Sequence, residues 1–187
     1  MKVIINIIRS LGYKPIWVYN TNGYDKENTL RTLEGIIDVY LPDLKYLYPV
    51  LAGQYSDASD YPEYAIKALR EMFRQKGSSL ITGEDNTAVS GIIVRHLVLP
   101  GHIANSLSVL RFLAKEISPR IHVSLMAQYY PTKKVKRHPQ LGRSITREEY
   151  SRVVEEMEEL GMFNGWIQEF ESSEFYRPDF NRQHPFE

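Results

Sequence analysis

No cysteine occurs in the 187 residues, so disulfides, thiolate zinc sites, a cysteine nucleophile and cysteine-ligated iron–sulfur clusters are excluded for this chain. Nor is there an excess of charge, since 23 lysines and arginines face 23 aspartates and glutamates. That balance sets up no net field to hold a nucleic acid or an anionic membrane surface, and neither partner is expected. No apolar run approaches the roughly 20 residues of a membrane helix and no signal-peptide pattern opens the chain, so the expected location is cytoplasmic. A glycine-rich dinucleotide fingerprint, a phosphate loop, a nucleophile elbow and a His-Glu zinc motif are all missing. The enzyme classes that such motifs announce gain no support.

Hydrophobic residues make up 43% and charged residues 25% of the chain, ordinary globular values that fit one domain over residues 1–187. Val3, Ile4, Ile7, Ile8 and Leu11 recur at the spacing of an amphipathic helix that ends at Gly12. A short strand, Ile16 to Tyr19, runs into the turn-forming Asn20-Thr21-Asn22-Gly23. A helix over 26–34 follows, then a strand over 36–41 stopped by Pro42. A helix capped at Asp60 carries Ala65, Ile66, Leu69, Met72 and Phe73 inward. Gly77 to Ser90 has the composition of a solvated, mobile connection, and Ile92 to Leu99 that of a parallel strand covered on both faces. Asn105 is placed to cap a helix bearing Leu107, Leu110 and Leu113, and Ile121 to Met126 forms a fourth strand. Thr146 and Glu149 form a capping box for a helix stopped at Gly161. Beyond it, the aromatic residues of the 170–187 tail suit packing across the domain.

Helices alternating with strands imply parallel strands joined by right-handed crossovers, in a barrel segment or an open doubly wound sheet. Four strand–helix units are too few to close an eight-stranded barrel. Because a crossover helix opens the sequence, the first strand is expected to lack a neighbour, leaving an edge open to self-association. In such folds ligands gather beyond the carboxyl ends of the strands. There Asp43 and Lys45 point the same way along an extended chain, suiting either a small zwitterion or an ion pair with each other. Arg95, inside an apolar strand, requires an acceptor, more economically a carboxylate of the protein than one of a ligand. His96 faces away from Arg95 and His122 opens a strand, so spacing gives no metal pair. Lys133, Lys134, Lys136 and Arg137 beside Tyr129 and Tyr130 superficially suit phosphate or single-stranded nucleic acid, but zero net charge favours a solvated loop.

Four stretches at the strand exits carry a resemblance to a known family. They are Val18-Tyr19-Asn20-Thr21-Asn22-Gly23-Tyr24, Tyr40-Leu41-Pro42-Asp43-Leu44-Lys45-Tyr46, Val94-Arg95-His96-Leu97-Val98-Leu99-Pro100-Gly101 and Ser124-Leu125-Met126-Ala127-Gln128-Tyr129-Tyr130-Pro131. In this order they resemble the radical S-adenosylmethionine proteins related to pyruvate formate-lyase activating enzyme, over nearly the whole chain as far as Tyr150. The resemblance implies an α/β fold, the C-terminal part of a partial (β/α)6 TIM-like barrel with parallel strands, whose first strands and cluster loop are absent here. It also implies S-adenosylmethionine at the strand exits and, in complete members, a [4Fe–4S] cluster on a three-cysteine loop. In those members the cluster generates a 5′-deoxyadenosyl radical that takes hydrogen from a partner glycyl-radical enzyme.

Carried over by position, the resemblance places Asn20, Thr21, Asn22, Gly23, Asp43, Lys45, Arg95, Gln128 and Tyr129 around S-adenosylmethionine. Asn20 stands where activating enzymes often carry aspartate, and Gln128-Tyr129 where they carry a Tyr-His pair. Lacking the cysteine loop, the chain is expected to be inactive by itself. It would be either the C-terminal portion of such an enzyme or a cluster-less binding or regulatory module of the same fold.

Overall fold

The computed structural model describes residues 2–170. Its strands are β1 (Val18–Thr21), β2 (Val39–Pro42), β3 (Ile81–Thr82), β4 (Ala88–Leu97), β5 (His122–Met126) and β6 (Gly165–Ile167). Five of them lie side by side in the order β1-β2-β4-β5-β6, every neighbouring pair parallel. Sheet order follows chain order without reversal, so there is no topological switch point. The sheet is therefore the singly wound arrangement of a barrel segment and not a doubly wound one.

The connections are helical: α1 (Lys2–Ser10), α2 (Glu27–Arg31), α3 (Pro49–Ser56), α4 (Tyr61–Lys76), α5 (Ile103–Phe112) and α6 (Arg147–Glu159). Along β4 and the two residues after it, Ile92, Val94, His96 and Val98 are buried, while the alternate residues Ile93, Arg95, Leu97 and Leu99 are half-buried. This period of two means that the helices cover one face and leave the other partly open, where the apolar run had suggested two covered faces. The core joins Val94, Val123 and Leu125 of the sheet to Leu69, Met72, Leu110 and Val153 of the helices. Each such buried aliphatic side chain contributes about 1.5–3 kcal/mol.

Several elements depart from the sequence reading. The residues 77–90 form an antiparallel hairpin, with β3 on β4, because Asp85 and Asn86 make a tight turn closed by Gly83 N–H on Thr87 O (2.9 Å). Asn105 does not cap α5, which starts two residues earlier; it is buried inside the first turn. Asp60 precedes α4 but its side chain accepts from the Tyr24 hydroxyl at 2.6 Å and caps nothing. α3 and β6 are additions: α3 is apolar without a helical period, and β6 has three residues. The expected apolar stripe of α1 faces outward, with Val3, Ile4, Ile7 and Leu11 all exposed and Ile5 alone buried to 1%. The capping box of α6 is formed as expected. Of the tail, 171–187 lie outside the described residues; Phe170 packs by Tyr150 and under Arg147.

Candidate ligand site at the strand exits

The centre of the site is the strap that leaves β2. Asp43 N–H donates to Thr21 O (2.9 Å) and Leu44 N–H to Arg95 O (3.0 Å), so the chain past Pro42 stays extended between the ends of β1 and β4. Three side chains then pin its backbone. The buried Tyr61 hydroxyl accepts from Lys45 N–H (3.1 Å) and donates its proton between Asn22 O (2.9 Å) and Asp43 O (3.0 Å). Burial raises the pKa of this phenol, so it keeps the proton that the bracket needs. Asn105 accepts from Leu47 N–H (2.9 Å) and donates to Lys45 O (3.0 Å).

His96 supplies the third pin. Leu44 O can only accept, so Nδ1 of His96 carries the proton given to it at 2.6 Å, and Nε2 accepts from the Ser106 hydroxyl at 2.9 Å. The ring is fully enclosed, and burial lowers its pKa to about 4, so it is neutral at pH 7.

Held this way, Asp43 and Lys45 do point together, as the extended spacing predicted. Asp43 Oδ1 receives Arg95 Nε at 2.8 Å and Nη2 at 2.6 Å, and Asp43 Oδ2 lies 3.4 Å from Lys45 Nζ. The same Nη2 also donates to Asn20 Oδ1 at 2.8 Å. Arg95 therefore has the protein carboxylate that its place in an apolar strand demanded. These groups open on a cleft of about 310 Å³ walled by Tyr46, Leu97, Leu99, Met126 and Tyr129. Two cations against one carboxylate leave the polar end net positive, which suits a ligand carboxylate, while Asp43 offers an acceptor for an ammonium or hydroxyl.

The other expected residues sit around this centre. Thr21 gives its hydroxyl proton to Asp25 (2.5 Å) and accepts from Gly23 N–H (3.1 Å), and Asn22 accepts from Tyr24 N–H (3.0 Å), so both shape the turn. Gly23 has φ +81°, and a Cβ there would stand 2.2 Å from Asp43 O, so only glycine permits the turn to lie on the strap. Tyr129 walls the cleft and donates to Leu141 O (2.7 Å), whereas Gln128 is exposed and accepts from Gln168 (3.2 Å). Sequence reasoning missed Tyr61 and Asn105 as determinants of the site: Tyr61 reads as one more residue of a helix start, and Asn105 as a cap. Among the described residues no group of three or more His, Asp or Glu is arranged to hold a metal ion. None of the helices described is long and apolar enough to cross a membrane.

No protein-family model matches the chain. It is 27% identical over 164 residues to an uncharacterised protein of Methanocaldococcus jannaschii, covering 85% of this chain and 44% of that protein. The chain thus spans less than half the length of this relative. Its fold is similar to the crystal structure of a domain of pyruvate-formate lyase-activating enzyme from Bacteroides vulgatus, with a TM-score of 0.59 over 90% of this chain and 91% of that one at 16% identity. The parallel strands, their unreversed order and this likeness together establish an α/β unit of the TIM-like barrel type.

Proposed function

We propose that the strand-exit cleft binds S-adenosylmethionine and that the chain forms the barrel portion of a radical S-adenosylmethionine enzyme of the activating type, acting on a protein substrate such as a glycyl-radical enzyme. The observation that carries this reading is the Asn20–Arg95–Asp43–Lys45 cluster at the end of a parallel sheet, set against an apolar wall. The amino-acid end of the ligand matches the polar cluster: Lys45 and Arg95 would receive its carboxylate and Asp43 its ammonium or a ribose hydroxyl. The apolar wall of Leu97, Leu99 and Met126 would exclude water from its uncharged parts.

An iron–sulfur cluster does not fit this chain. The sequence supplies no thiolate, and the described residues hold no three-ligand group in its place. Cluster ligands would come from outside these residues. The absence of thiolates favours, as second reading, a binding or regulatory module of the same fold.

Equilibrium dialysis of the full chain against S-adenosylmethionine tests the first reading. Binding is expected, with a fall of at least tenfold in Arg95→Met, and no 5′-deoxyadenosine is expected on adding dithionite. No binding, or equal binding by Arg95→Met, would sink the assignment of this cleft.

A further inference from the structure

Between Glu116 and Glu148 the chain contains no carboxylate, and within that stretch Lys133, Lys134, Lys136 and Arg137 fall in five consecutive positions. Since the whole chain is neutral, this is a local excess balanced elsewhere. Arg143 is committed to Glu149 at 2.7 Å, but the four cations of 133–137 are exposed and have no carboxylate partner among the described residues.

The segment is folded by local hydrogen bonds. Lys133–Val135 form a 3-10 turn, with Val135 N–H on Thr132 O (3.1 Å), His138 N–H on Val135 O (2.8 Å) and Gly142 N–H on His138 O (2.9 Å). It is fastened to the cleft wall on one side and to α3 and the turn after β4 on the other. On one side Tyr129 walls the cleft and bonds Leu141 O. On the other, the His138 ring meets Tyr55 edge-on at 5.6 Å and Gln140 lies against Gly101, where a Cβ would stand 2.8 Å from its Cγ. A solvated loop needs neither the anchors nor the clustering of one sign beside a ligand cleft.

We propose that this basic rim is a docking surface for an acidic segment of a polypeptide partner, held at the mouth of the cleft. Five residues of tight helical turn span about 10 Å, the reach of about three residues of extended peptide. A nucleic-acid backbone would have to continue past the patch, and there the cations are already paired with carboxylates: Arg143 with Glu149, which also takes Gly101 N–H, and Arg95 with Asp43. A short acidic peptide meets the cations without crossing those carboxylates, and electrostatic complementarity of this kind guides association and orientation. The proposal extends the protein-substrate reading but needs no cofactor, so its failure leaves the ligand assignment standing.

The test is fluorescence anisotropy of the full chain with labelled octaglutamate and, separately, labelled octathymidylate, in the absence of S-adenosylmethionine. The peptide is expected to bind, to weaken with salt, and to lose at least tenfold in affinity in the Lys133→Glu/Lys134→Glu/Lys136→Glu/Arg137→Glu variant. Lys14→Glu/Lys115→Glu, elsewhere on the surface, should change it less than twofold. If the fourfold variant unfolds, Lys134→Ala/Lys136→Ala is expected to show a loss of at least threefold. Carbodiimide should then join the peptide to lysines of 133–136. Octathymidylate binding as tightly as the peptide, peptide binding indifferent to the loop, or carbodiimide links from these lysines to the chain's own 171–187 carboxylates would each overturn the proposal.

Discussion

His96 donates to Leu44 O through one ring nitrogen and accepts from Ser106 through the other, and this second bond requires the neutral ring. Its folded pKa of about 4 lies below the ordinary histidine value of 6.5, so the unfolded chain takes up the proton first as pH falls. The contribution of the ring is complete above pH 6.5 and is lost progressively from there down toward pH 4. Between pH 7 and pH 5 the unfolding free energy should fall by about 2 kcal/mol on this account. Glu71 and Glu149, each held at about 2, chiefly by a bonded arginine, lose their contributions only below about pH 4.5. Urea titrations at the two pH values check this, and His96→Gln should flatten the difference; an equally steep loss in the variant would show that other groups cause it. Asp43, Lys45 and Arg95 were legible in the sequence because each interrupts an apolar pattern at a strand end. Asn105 was not, because its partners lie 58 and 60 residues away and no local period reports them.

α6 shows how far local chemistry specifies an element. The Thr146 hydroxyl accepts from Glu149 N–H (3.2 Å) and the Glu149 carboxylate accepts from Thr146 N–H (2.9 Å), which satisfies two donors at the helix start. Glu149 also takes Gly101 N–H (2.8 Å) and both arms of Arg143, so the cap doubles as a clasp on the β4 exit. Thr146→Ala should cost about 1 kcal/mol, a fall of roughly 2–4 °C in Tm, and Glu149→Ala about twice that, measured by thermal unfolding. Equal effects of the two would mean that the clasp contributes nothing. The cap was readable because its partners are three residues apart. β6 was not, because three residues carry no period and its place follows from pairing with β5. Strands β1 and β2 each begin two or three residues later than their apolar runs suggested, because Trp17 and Asp38 are occupied with each other ahead of the sheet (2.7 Å).

At the scale of the molecule, periodicity announced that α1 has an apolar face but could not say whether anything covers it. Val3, Ile4 and Ile7 are 71%, 59% and 54% exposed, and β1 beside the same end of the chain pairs only with β2 among the described residues. An apolar helix face and an open strand edge at one end favour association. Sedimentation velocity of the full chain should show weight-average mass rising with concentration, and Ile4→Lys/Ile7→Lys should hold it monomeric over the same range. A wild-type chain that stays monomeric contradicts this expectation. Because sheet order and chain order coincide from β1 to β6, apart from the β3 flap, each strand reaches a neighbour already made as synthesis proceeds. Assembly can therefore advance one crossover at a time, always at the newest strand.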